Sequence, residues 1–542
     1  MIKNLSFGVL VGVLLTAPLI GLIYVAHQLA GLPFIPFDLF NWLVRVLPGD
    51  LITFGIDTMI DTMLFLGLNV ADTAKTAERT MAVLQFLAVG VAISAIFFVV
   101  LGWGRRQADR LAGLVAGALF GLPMIGISLA ISQSTVTPLV SIIFLLIVFF
   151  GWGLLLALSY QRLSTEAEAA ASPGEARTAQ AINRRQFLVR MGASSAVITV
   201  IGAGVGAVLA QQEERRLAAQ LATSEAHDVE ETTKSSFPNA NDPVVPVPGT
   251  RPEYTPVKDH YKVFLQTEPT VINGADYVLP ITGLVANPLM LTLDDIRSNY
   301  EARDQYVTLS CISGRIGTSL ISTTQWTGVS MQAILADASV QENGRYLHIT
   351  SGDGFYETVD LDLIAADERI MLCYAWDGNT LPVDHGFPLR IWLPDRYGMK
   401  QPKWITGMEV SADYTPGYWV ERNWDEVAQV KTTSVIDTVA VDHIIEMGDE
   451  RRVPIGGIAF SGARGISQVE VRVDGGEWQP AELRSPLSET TWVIWRYEWP
   501  FTAGEHQFEV RCAEGDGTPQ IEEAHKNRPS GATGIHSVEA TL

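Results

Sequence analysis

The stretch of sequence that decides the fold reads His385-Gly-Phe-Pro-Leu-Arg390, followed by Tyr397-Gly-Met-Lys400 and Lys403-Trp404. Its basic side chains are concentrated in a part of the chain that is otherwise acidic. The Gly-Phe-Pro and Tyr-Gly-Met triplets each indicate a tight turn, and arginine and lysine beside such turns are typical phosphate ligands. A charged surface face is the alternative interpretation. It explains Arg396 well, but it explains the two turns less well.

A second cluster begins with Cys311, which is followed by Ile-Ser-Gly-Arg315. Residues 306–311 alternate in polarity and predict a strand that ends at the cysteine. The small residues after Cys311 would free its sulfur to face a ligand, and Arg315 would lower the pKa of the thiol. The residues alone still favour a buried structural cysteine. Cys373 and Cys512 lack such surroundings and are interpreted as core residues.

Composition divides the chain into two parts. The length of 542 residues predicts about three or four domains. Residues 1–210 carry 12 Lys and Arg against 10 Asp and Glu, whereas the rest is strongly acidic and the whole chain has a net charge of −21. A hydrophobic share of 48% with only 18% charged residues indicates a membrane portion. The acidic balance argues against a nucleic-acid partner, and three cysteines are too few for a disulfide framework.

Five apolar stretches are long enough to span about 30 Å of hydrocarbon as helices. They are residues 5–30, 81–103, 111–132, 136–160 and 187–210. The basic residues around them place the amino terminus in the cytoplasm, so everything after residue 210 is predicted on the outer, periplasmic or extracellular, side of a cell (inner) membrane. These basic residues are Lys3, Arg105, Arg106, Arg110, Arg162, Arg177, Arg184 and Arg185. Membrane lipid is thus an expected partner.

The segment 37–80 is apolar but contains Asp50, Asp57 and Asp61. Carboxylates inside a membrane are costly and usually functional. If this segment crossed the membrane, the later basic loops would face the wrong side, so an interfacial or re-entrant helix is the favoured prediction. A proton or quinone role for Asp57 and Asp61 is the less favoured alternative.

The fifth span begins with Arg184-Arg185-Gln-Phe-Leu188, which resembles a twin-arginine export signal. That pathway moves folded proteins and suits a domain that acquires a bulky cofactor before export. The alternative is that the two arginines only anchor the span on its cytoplasmic side. The simpler prediction is that the signal is not cleaved and stays in the membrane as an anchor. The alternative is that it is removed at a cleavage site at 208–210.

The rest of the chain is predicted to hold three further segments. Residues 211–257 are a linker, because a charged, Ala-rich start is followed by six prolines. Residues 258–430 show mixed strands and helices, with Thr292 and Asp295 as a helix cap. Residues 431–542 alternate as short strands and carry a hairpin turn at Asp474-Gly-Gly476, which predicts an immunoglobulin-like β-sandwich.

Together, the two clusters resemble the sulfite oxidase family of molybdopterin-dependent oxidoreductases. Cys311 with Trp326-Thr-Gly-Val329 is similar to the family's molybdenum-ligand segment, and 385–404 is similar to its pterin-phosphate segment. The likeness covers about 250–542, including a sandwich that looks like the family's dimerisation domain. It is nearest to bacterial membrane-anchored members, including the exported catalytic subunit that reduces methionine sulfoxide in proteins.

This resemblance implies a molybdopterin cofactor with one molybdenum, with Cys311 as the metal ligand and Cys311 and Arg315 as the catalytic residues. The implied cofactor-binding residues are Tyr261, Lys262, Cys311, Ser351, Asp353, His385, Arg390, Gln401, Pro402 and Lys403. True sulfite oxidases follow the cysteine with an Asn and paired arginines, so Ile316 after Arg315 puts a sulfite pocket in doubt. No haem is expected in this chain. The sequence has no Cys-x-x-Cys-His run for a c-type haem, and His27 is the only histidine in residues 1–210, whereas a membrane haem b normally needs a pair of histidines.

The resemblance further implies two-electron oxygen-atom transfer on the outer face of the membrane. Arg315 is the only basic residue near Cys311 in sequence, which favours reduction of a neutral S- or N-oxide over sulfite dehydrogenase-type oxidation. The competing class is a metal-free, membrane-tethered binding or scaffold module. The implied partners are a small-molecule or protein-bound oxide, a separate electron carrier or a quinone or haem membrane subunit, and a second copy of the chain.

Overall fold

The computed structural model describes residues 2–104, 108–131, 136–169, 176–223 and 237–542. The chain forms two compact units. Unit 1 contains Met1–Leu47 and Thr76–Ser224, and unit 2 contains Pro48–Lys75 and Glu225–Leu542. The second unit therefore includes a segment that comes from the apolar part of the sequence. Arg105, Arg106 and the side chains of Lys3, Arg177 and Arg184, which set the predicted orientation, lie outside the described residues.

Seven helices are present among the described residues between 2 and 223. They are α1 (Ile2–Ala30), α2 (Ile35–Val46), α3 (Gly49–Phe65), α4 (Val70–Trp103), α5 (Arg110–Ile131), α6 (Pro138–Ala169) and α7 (Ala176–Thr223). Five of them, α1 and α4 to α7, are long and apolar enough to cross a membrane. These five cover the five predicted spans to within two residues at either end. The segment 37–80, which was predicted not to cross, contains most of α2, all of α3 and the start of α4.

Unit 1 has a core of aromatic and small residues. Phe120 packs against Phe149 and Trp152 with ring centroids 4.9 and 5.0 Å apart. A Cβ at Gly153 would lie 2.2 Å from the carbonyl oxygen of Gly113. Because glycine has no side chain, helices α5 and α6 can approach each other closely at Gly113 and Gly153.

Residues 211–223 of the predicted linker are the end of helix α7, and residues 237–257 are packed rather than extended in solvent. Val247 is buried, and Arg251 pairs with Asp437 at 2.6 Å. Asn239 and Arg484 hydrogen-bond across the same surface at 3.0 Å. The prolines of this stretch therefore lie along unit 2, while residues 224–236 of the predicted linker lie outside the described residues.

The first half of unit 2 is an α+β domain. Its elements are β1 (Val278–Gly283), β2 (Leu289–Thr292), α8 (Leu293–Asn299), β3 (Ala302–Ser310), β4 (Ile321–Ser330), α9 (Met331–Ala338), β5 (Tyr346–Ser351), β6 (Tyr356–Asp360), α10 (Leu361–Ala366), β7 (Met371–Trp376), β8 (Asn379–Thr380), β9 (Arg390–Trp392) and β10 (Ile405–Ser411). One sheet has the order β2-β1-β10-β5-β6, in which β1 and β10 are parallel. The other has the order β3-β4-β7-β8, with β9 paired to β7.

Two of these strands position the two predicted site residues Cys311 and Arg390. Strand β3 ends at Ser310, one residue before Cys311, as the alternating pattern predicts. Strand β9 begins at Arg390, which lies opposite Cys373 of β7. The second sheet therefore carries both sequence clusters.

The second half of unit 2 is a two-sheet β-sandwich. Its strands are β11 (Thr433–Val439), β12 (Ile445–Met447), β13 (Glu450–Phe460), β14 (Ile466–Val473), β15 (Gln479–Pro480), β16 (Glu482–Leu483), β17 (Val493–Pro500), β18 (Glu505–Glu514) and β19 (His536–Thr541). The sheets have the orders β11-β13-β17-β16 and β15-β14-β18-β19. Trp495 of one sheet and Val469 and Phe508 of the other share one buried core, so the predicted immunoglobulin-like sandwich is confirmed.

Candidate functional site

Cys311 lies at the start of the turn that leaves β3. Its backbone N–H donates to the Leu320 carbonyl at 2.9 Å, and its carbonyl accepts from the Gly314 N–H at 3.0 Å. The side chain is buried, with only 8% of its surface exposed. The thiol is thus held at a strand end by backbone hydrogen bonds, which is a rigid support for a ligand.

Burial raises the pKa of the Cys311 thiol. Hydrogen bonds from Ser313 and the positive charges of Arg528 and Lys403 act in the opposite direction. A thiol of this kind is inert by itself, whereas a bound metal cation stabilises its deprotonated form. The site is therefore better suited to metal ligation than to a free nucleophilic thiolate.

Two guanidinium groups border the turn after Cys311. Arg528 donates to Ser313 Oγ at 2.9 Å, and Arg315 donates to Asn527 Oδ1. Asn527 in turn donates from Nδ2 to the Ser313 carbonyl at 2.7 Å. Residues 527 and 528, from the loop before β19, thus complete the surroundings of the cysteine. A cavity of about 50 Å³ is lined by Cys311 and Arg315, among other residues.

The segment 385–390 passes beneath the aromatic core of the second sheet. The guanidinium carbon of Arg390 lies 4.1 Å from the ring centroid of Trp326, and its Nη1 donates to the His385 carbonyl at 3.1 Å. Gly386 has φ +116, and a Cβ there would lie 3.0 Å from the Cβ of Lys403. A glycine is required at this position because the backbone is left-handed and the lysine is adjacent.

His385, His260 and Trp376 form a buried aromatic cluster. The ring centroids of the two histidines are 5.1 Å apart, and Trp376 lies 4.6 Å from His385 and 4.8 Å from His260. Burial lowers the pKa of His260 to about 3 and that of His385 well below its ordinary value. Both imidazoles are therefore neutral at physiological pH. The single N–H of His260 lies on Nδ1, which donates to the Tyr261 carbonyl at 3.0 Å, so its Nε2 is a hydrogen-bond acceptor. His385 can offer a donor without a charge.

Lys403 is held beside this cluster by two backbone carbonyls. Its Nζ donates to Val263 at 3.0 Å and to Asp384 at 3.1 Å. Burial, together with the charge of Arg390, lowers the pKa of the Lys403 ammonium well below its ordinary value. Lys262 is more exposed and pairs with the Asp384 carboxylate at 2.5 Å. The neighbourhood is strongly positive, and an anionic group bound there would stabilise the charged lysine.

The remaining predicted residues border the same region. Ser351 ends β5, and the next residue donates its N–H to the Trp404 carbonyl at 2.8 Å. Asp353 is buried, and its carboxylate accepts from the Phe355 N–H at 3.0 Å. Gln401 donates to the Leu393 carbonyl at 3.2 Å, and the Pro402 carbonyl accepts from Ile391 at 3.2 Å. The last two residues therefore fix β9 through the backbone.

Several buried polar atoms at this site have no hydrogen-bond partner among the described residues. They are Nε2 of His260, the hydroxyl of Tyr261, Oγ of Ser351, Nε2 of His385, Nε of Arg390 and Oε1 of Gln401. An unsatisfied buried polar group costs about 1–3 kcal/mol, so a cluster of them is expected to be satisfied by a ligand. Nε of Arg390 and the hydroxyls of Tyr261 and Ser351 are donors that suit a polar, phosphate-bearing cofactor, whereas Oε1 of Gln401 is an acceptor. All of the residues except His260 were predicted from the sequence.

Tyr261 connects this cluster to the cysteine. A Cβ at Gly398 would lie 3.4 Å from the Tyr261 hydroxyl and 3.7 Å from the Ser310 carbonyl. Val257–Asp259 form a short 3-10 turn, and irregular backbone follows to residue 265. Tyr261 and Lys262 therefore reach the site from a loop. His260 was missed, although a histidine next to a predicted ligand was a usable signal.

Arg528 was also missed, and no local signal could have found it. It is far from Cys311 in sequence and occupies a loop of the sandwich half of unit 2. Only the tertiary fold places it at Ser313. The sequence-based statement that Arg315 is the only basic residue near Cys311 holds along the chain but not in space.

The sequence matches two family descriptions in the order in which the structure presents the domains. Residues 266–419 match an oxidoreductase molybdopterin binding domain, and residues 425–521 match a Mo-co oxidoreductase dimerisation domain. The first range contains most of the site, and the second covers most of the sandwich. Tyr261 and Arg528 fall outside both ranges.

Named relatives share part of the chain. Mitochondrial sulfite oxidase of Macaca fascicularis is 27% identical over 373 residues, which is 57% of this chain and 68% of the relative. The human enzyme is 27% identical over 42% of this chain, and the chain spans 50% of its length. Nitrate reductase [NADH] 2 of Nicotiana tabacum is 27% identical over 45% of this chain, and the aligned part is 33% of the length of that reductase.

A solved structure, the sulfane dehydrogenase SoxCD from Paracoccus pantotrophus, aligns at 20% identity with a TM-score of 0.46 over 53% of this chain and 81% of its own. The family matches and the sulfite oxidase and nitrate reductase relatives identify a molybdenum cofactor enzyme. The chain is therefore a molybdenum cofactor-dependent oxidoreductase with a molybdopterin-binding domain followed by a dimerisation domain, and it is similar to sulfite oxidases and nitrate reductases.

Proposed function

We propose that this chain is a membrane-anchored molybdopterin oxidoreductase in which Cys311 ligates the molybdenum and the substrate is a neutral S- or N-oxide. The observation that carries the proposal is the convergence of a rigidly held cysteine with the buried, unsatisfied donors of His385, Tyr261 and Arg390. A scaffold module without a cofactor would leave these donors unsatisfied at considerable cost. The bound cofactor supplies two-electron oxygen-atom transfer.

The residues of the chain then have separate roles. Cys311 provides a soft thiolate, which suits a molybdenum already held by dithiolene sulfurs. Arg390 and His385, with Lys403 nearby, bind the phosphate end of the cofactor, while Tyr261 and Ser351 contact the pterin. Lys262, Asp353, Gln401 and Pro402 support these contacts from the surrounding backbone. Arg315 and Arg528 lie on the side of Cys311 where a substrate oxygen would be held.

Sulfite oxidation is the second candidate reaction. It is favoured by the sulfite oxidase relatives and by the second guanidinium that Arg528 adds to Arg315. Comparing turnover of sulfite with turnover of dimethyl sulfoxide and trimethylamine N-oxide tests the choice. Faster turnover of the neutral oxides is expected, and a sulfite rate far above both would favour the second reaction.

The membrane part is proposed to anchor the enzyme with unit 2 on the outer side of a cell membrane. The support is the five long apolar helices and the basic residues of the sequence between them. A twin-arginine route at Arg184-Arg185 would export the domain with its cofactor already bound. Electrons would come from a separate carrier or from a quinone or haem subunit in the membrane.

The first experiment measures molybdenum in the purified full chain, expressed in a molybdate-supplied host. About one atom per chain is expected. Cys311→Ala is expected to remain folded and to lose more than about a hundredfold in turnover. Cys373→Ala, which changes a buried thiol on β7 of the same sheet, is the matched control and should retain both metal and turnover. Full activity in Cys311→Ala would contradict the proposed ligand, and a folded protein without molybdenum would favour the scaffold alternative.

A further inference from the structure

Residues 48–75 belong to the same compact unit as Cys311, although they lie between two long apolar helices in the sequence. The start of this segment packs against the loop before the sandwich. A Cβ at Gly49 would lie 2.7 Å from the Arg422 carbonyl oxygen, and Trp424 Nε1 donates to Thr53 Oγ1 at 3.2 Å. Helix α3 is therefore fixed at its amino-terminal end.

The other end of the segment is fixed as well. The Ala71 N–H donates to Ser319 Oγ at 3.2 Å, and Ser319 donates to the Asn69 side chain. Lys75 Nζ donates to the carbonyls of Phe264 and Gln266 at 2.6 and 3.1 Å. The segment is thus docked on both sides of the turn that follows Cys311.

Between these ends, α3 presents two carboxylates to the two guanidinium groups. Asp57 pairs with Arg528 and lies 3.7 Å from Arg315, and Asp61 accepts from Arg315 at 2.9 Å. The Arg528 side chain is only 6% exposed and that of Arg315 19% exposed. Ion pairs with such buried partners are much less screened than surface pairs, and removal of one partner leaves a charge uncompensated.

The guanidinium pair has the chemistry of an oxyanion receptor. Planar guanidinium forks bind carboxylate, phosphate and sulfate groups through paired N–H donors. Here Arg528 donates to Ser313 Oγ, two residues after Cys311, and Arg315 lines the same cavity as Cys311. An oxyanion bound to the two guanidinium groups would therefore lie near the proposed metal ligand. The fold instead delivers two of its own carboxylates to this position.

We propose that Asp57 and Asp61 are built-in counter-anions that determine substrate specificity by occupying Arg315 and Arg528. Two positive and two negative charges cancel, so a neutral oxide meets no net charge, whereas a free oxyanion must displace carboxylates held in place by the fold. This inference rests on the proposed function, since it concerns substrate choice at the same site. The carboxylates predicted to be interfacial thereby obtain a defined role as specificity determinants.

The test uses the full chain in detergent and inorganic sulfate as the probe. Isothermal titration calorimetry is expected to show at least tenfold tighter sulfate binding in Asp57→Asn/Asp61→Asn than in the wild type. Asp50→Asn is the matched control, because Asp50 is exposed at the start of the same helix and forms no ion pair within the described part of the chain. Adding Arg315→Gln and Arg528→Gln to the double variant should abolish the gain.

Two results would overturn the proposal. One is equal sulfate affinity in the double variant and in Asp50→Asn, and the other is a gain that persists without the two arginines. If the double variant does not fold, Asp61→Asn alone is measured, because the Asp61 side chain is 59% exposed and its removal is tolerable. Here the expected gain is about threefold, and no gain overturns the proposal. Molybdenum content is measured on the same samples, so a missing cofactor contradicts the proposed function separately.

Discussion

Arg390 illustrates how single residues hold the site. It is buried under the Trp326 ring, and burial lowers the pKa of its guanidinium to about 10. Its Nη1 is bound to the His385 carbonyl, while its Nε has no partner among the described residues. A planar fork in this position retains donors for a phosphate oxygen, which an ammonium on a flexible chain does not reproduce.

Replacing this arginine tests the phosphate-holding role. Arg390→Lys is expected to lower the molybdenum retained after prolonged dialysis at least tenfold, because a hydrogen bond to a charged group contributes about 1.5–3 kcal/mol. Molybdenum per chain is measured by mass spectrometry of the metal. Arg396→Lys is the control, since the Arg396 guanidinium pairs with its neighbour Asp395 at 3.6 Å rather than with a residue of the cofactor site. Its side chain is only 17% exposed, so it is not part of the charged surface that the sequence suggested. Equal retention in both variants would remove Arg390 from the cofactor site.

The residue scale also shows where sequence reasoning reaches its limit. Cys311, His385 and Arg390 were predicted from local chemistry and a family resemblance, and the structure places all three around one buried region. Asp57 was noticed because a carboxylate in an apolar stretch is unusual. Its partner, Arg528, is distant in sequence, and no local pattern reports a contact that only the tertiary fold creates.

At the scale of elements, short-range signals were reliable. The predicted cap of α8 is a complete capping box in which Thr292 Oγ1 accepts from the Asp295 N–H at 3.1 Å. The predicted hairpin after β14 is confirmed by positive φ at Asp474 and Gly475. Such features depend on residues a few positions apart, so the sequence contains all that determines them.

The capping box makes an element-scale prediction. Thr292→Ala is expected to destabilise α8 by about 1 kcal/mol, because two hydrogen bonds at the helix start are lost. Native-state hydrogen exchange should then accelerate about fivefold at the amides of α8. Ser298→Ala is the control on the same helix, because its hydroxyl donates to the Asp294 carbonyl at 2.5 Å, lies 3.5 Å from Asn299 Oδ1 and does not cap the helix start. An unchanged exchange rate in Thr292→Ala would show that packing alone holds the helix.

Elements that depend on distant partners were less predictable. Residues 37–80 were predicted as an interfacial or re-entrant helix, and the structure has α2, α3 and the start of α4 there, of which α3 belongs to unit 2. The apolar composition of the segment suggested a membrane surface. Ile56 instead packs against a cluster that contains Ile312 and Trp424, and hydropathy does not distinguish a protein surface from a lipid surface.

At the scale of the whole molecule, the dimerisation-type sandwich predicts the state of association. Light scattering of the detergent-solubilised chain is expected to give the mass of two chains, because residues 425–521 match a dimerisation domain. Dilution over a wide concentration range distinguishes a stable dimer from a transient one. The mass of a single chain at every concentration would show that this sandwich has another role here.

The placement of residues 48–75 also affects how the enzyme can be simplified for study. A soluble form that begins at residue 237 would contain both family-matched ranges and every residue of the cofactor site. It would lack α3, so Arg528 and Arg315 would lose Asp57 and Asp61 and keep only Ser313 and Asn527. Phosphate or sulfate in an ordinary buffer would then compete at the site. The truncated chain would thus be inhibited by buffer anions and would prefer anionic substrates. Its turnover rates would therefore differ from those of the full chain.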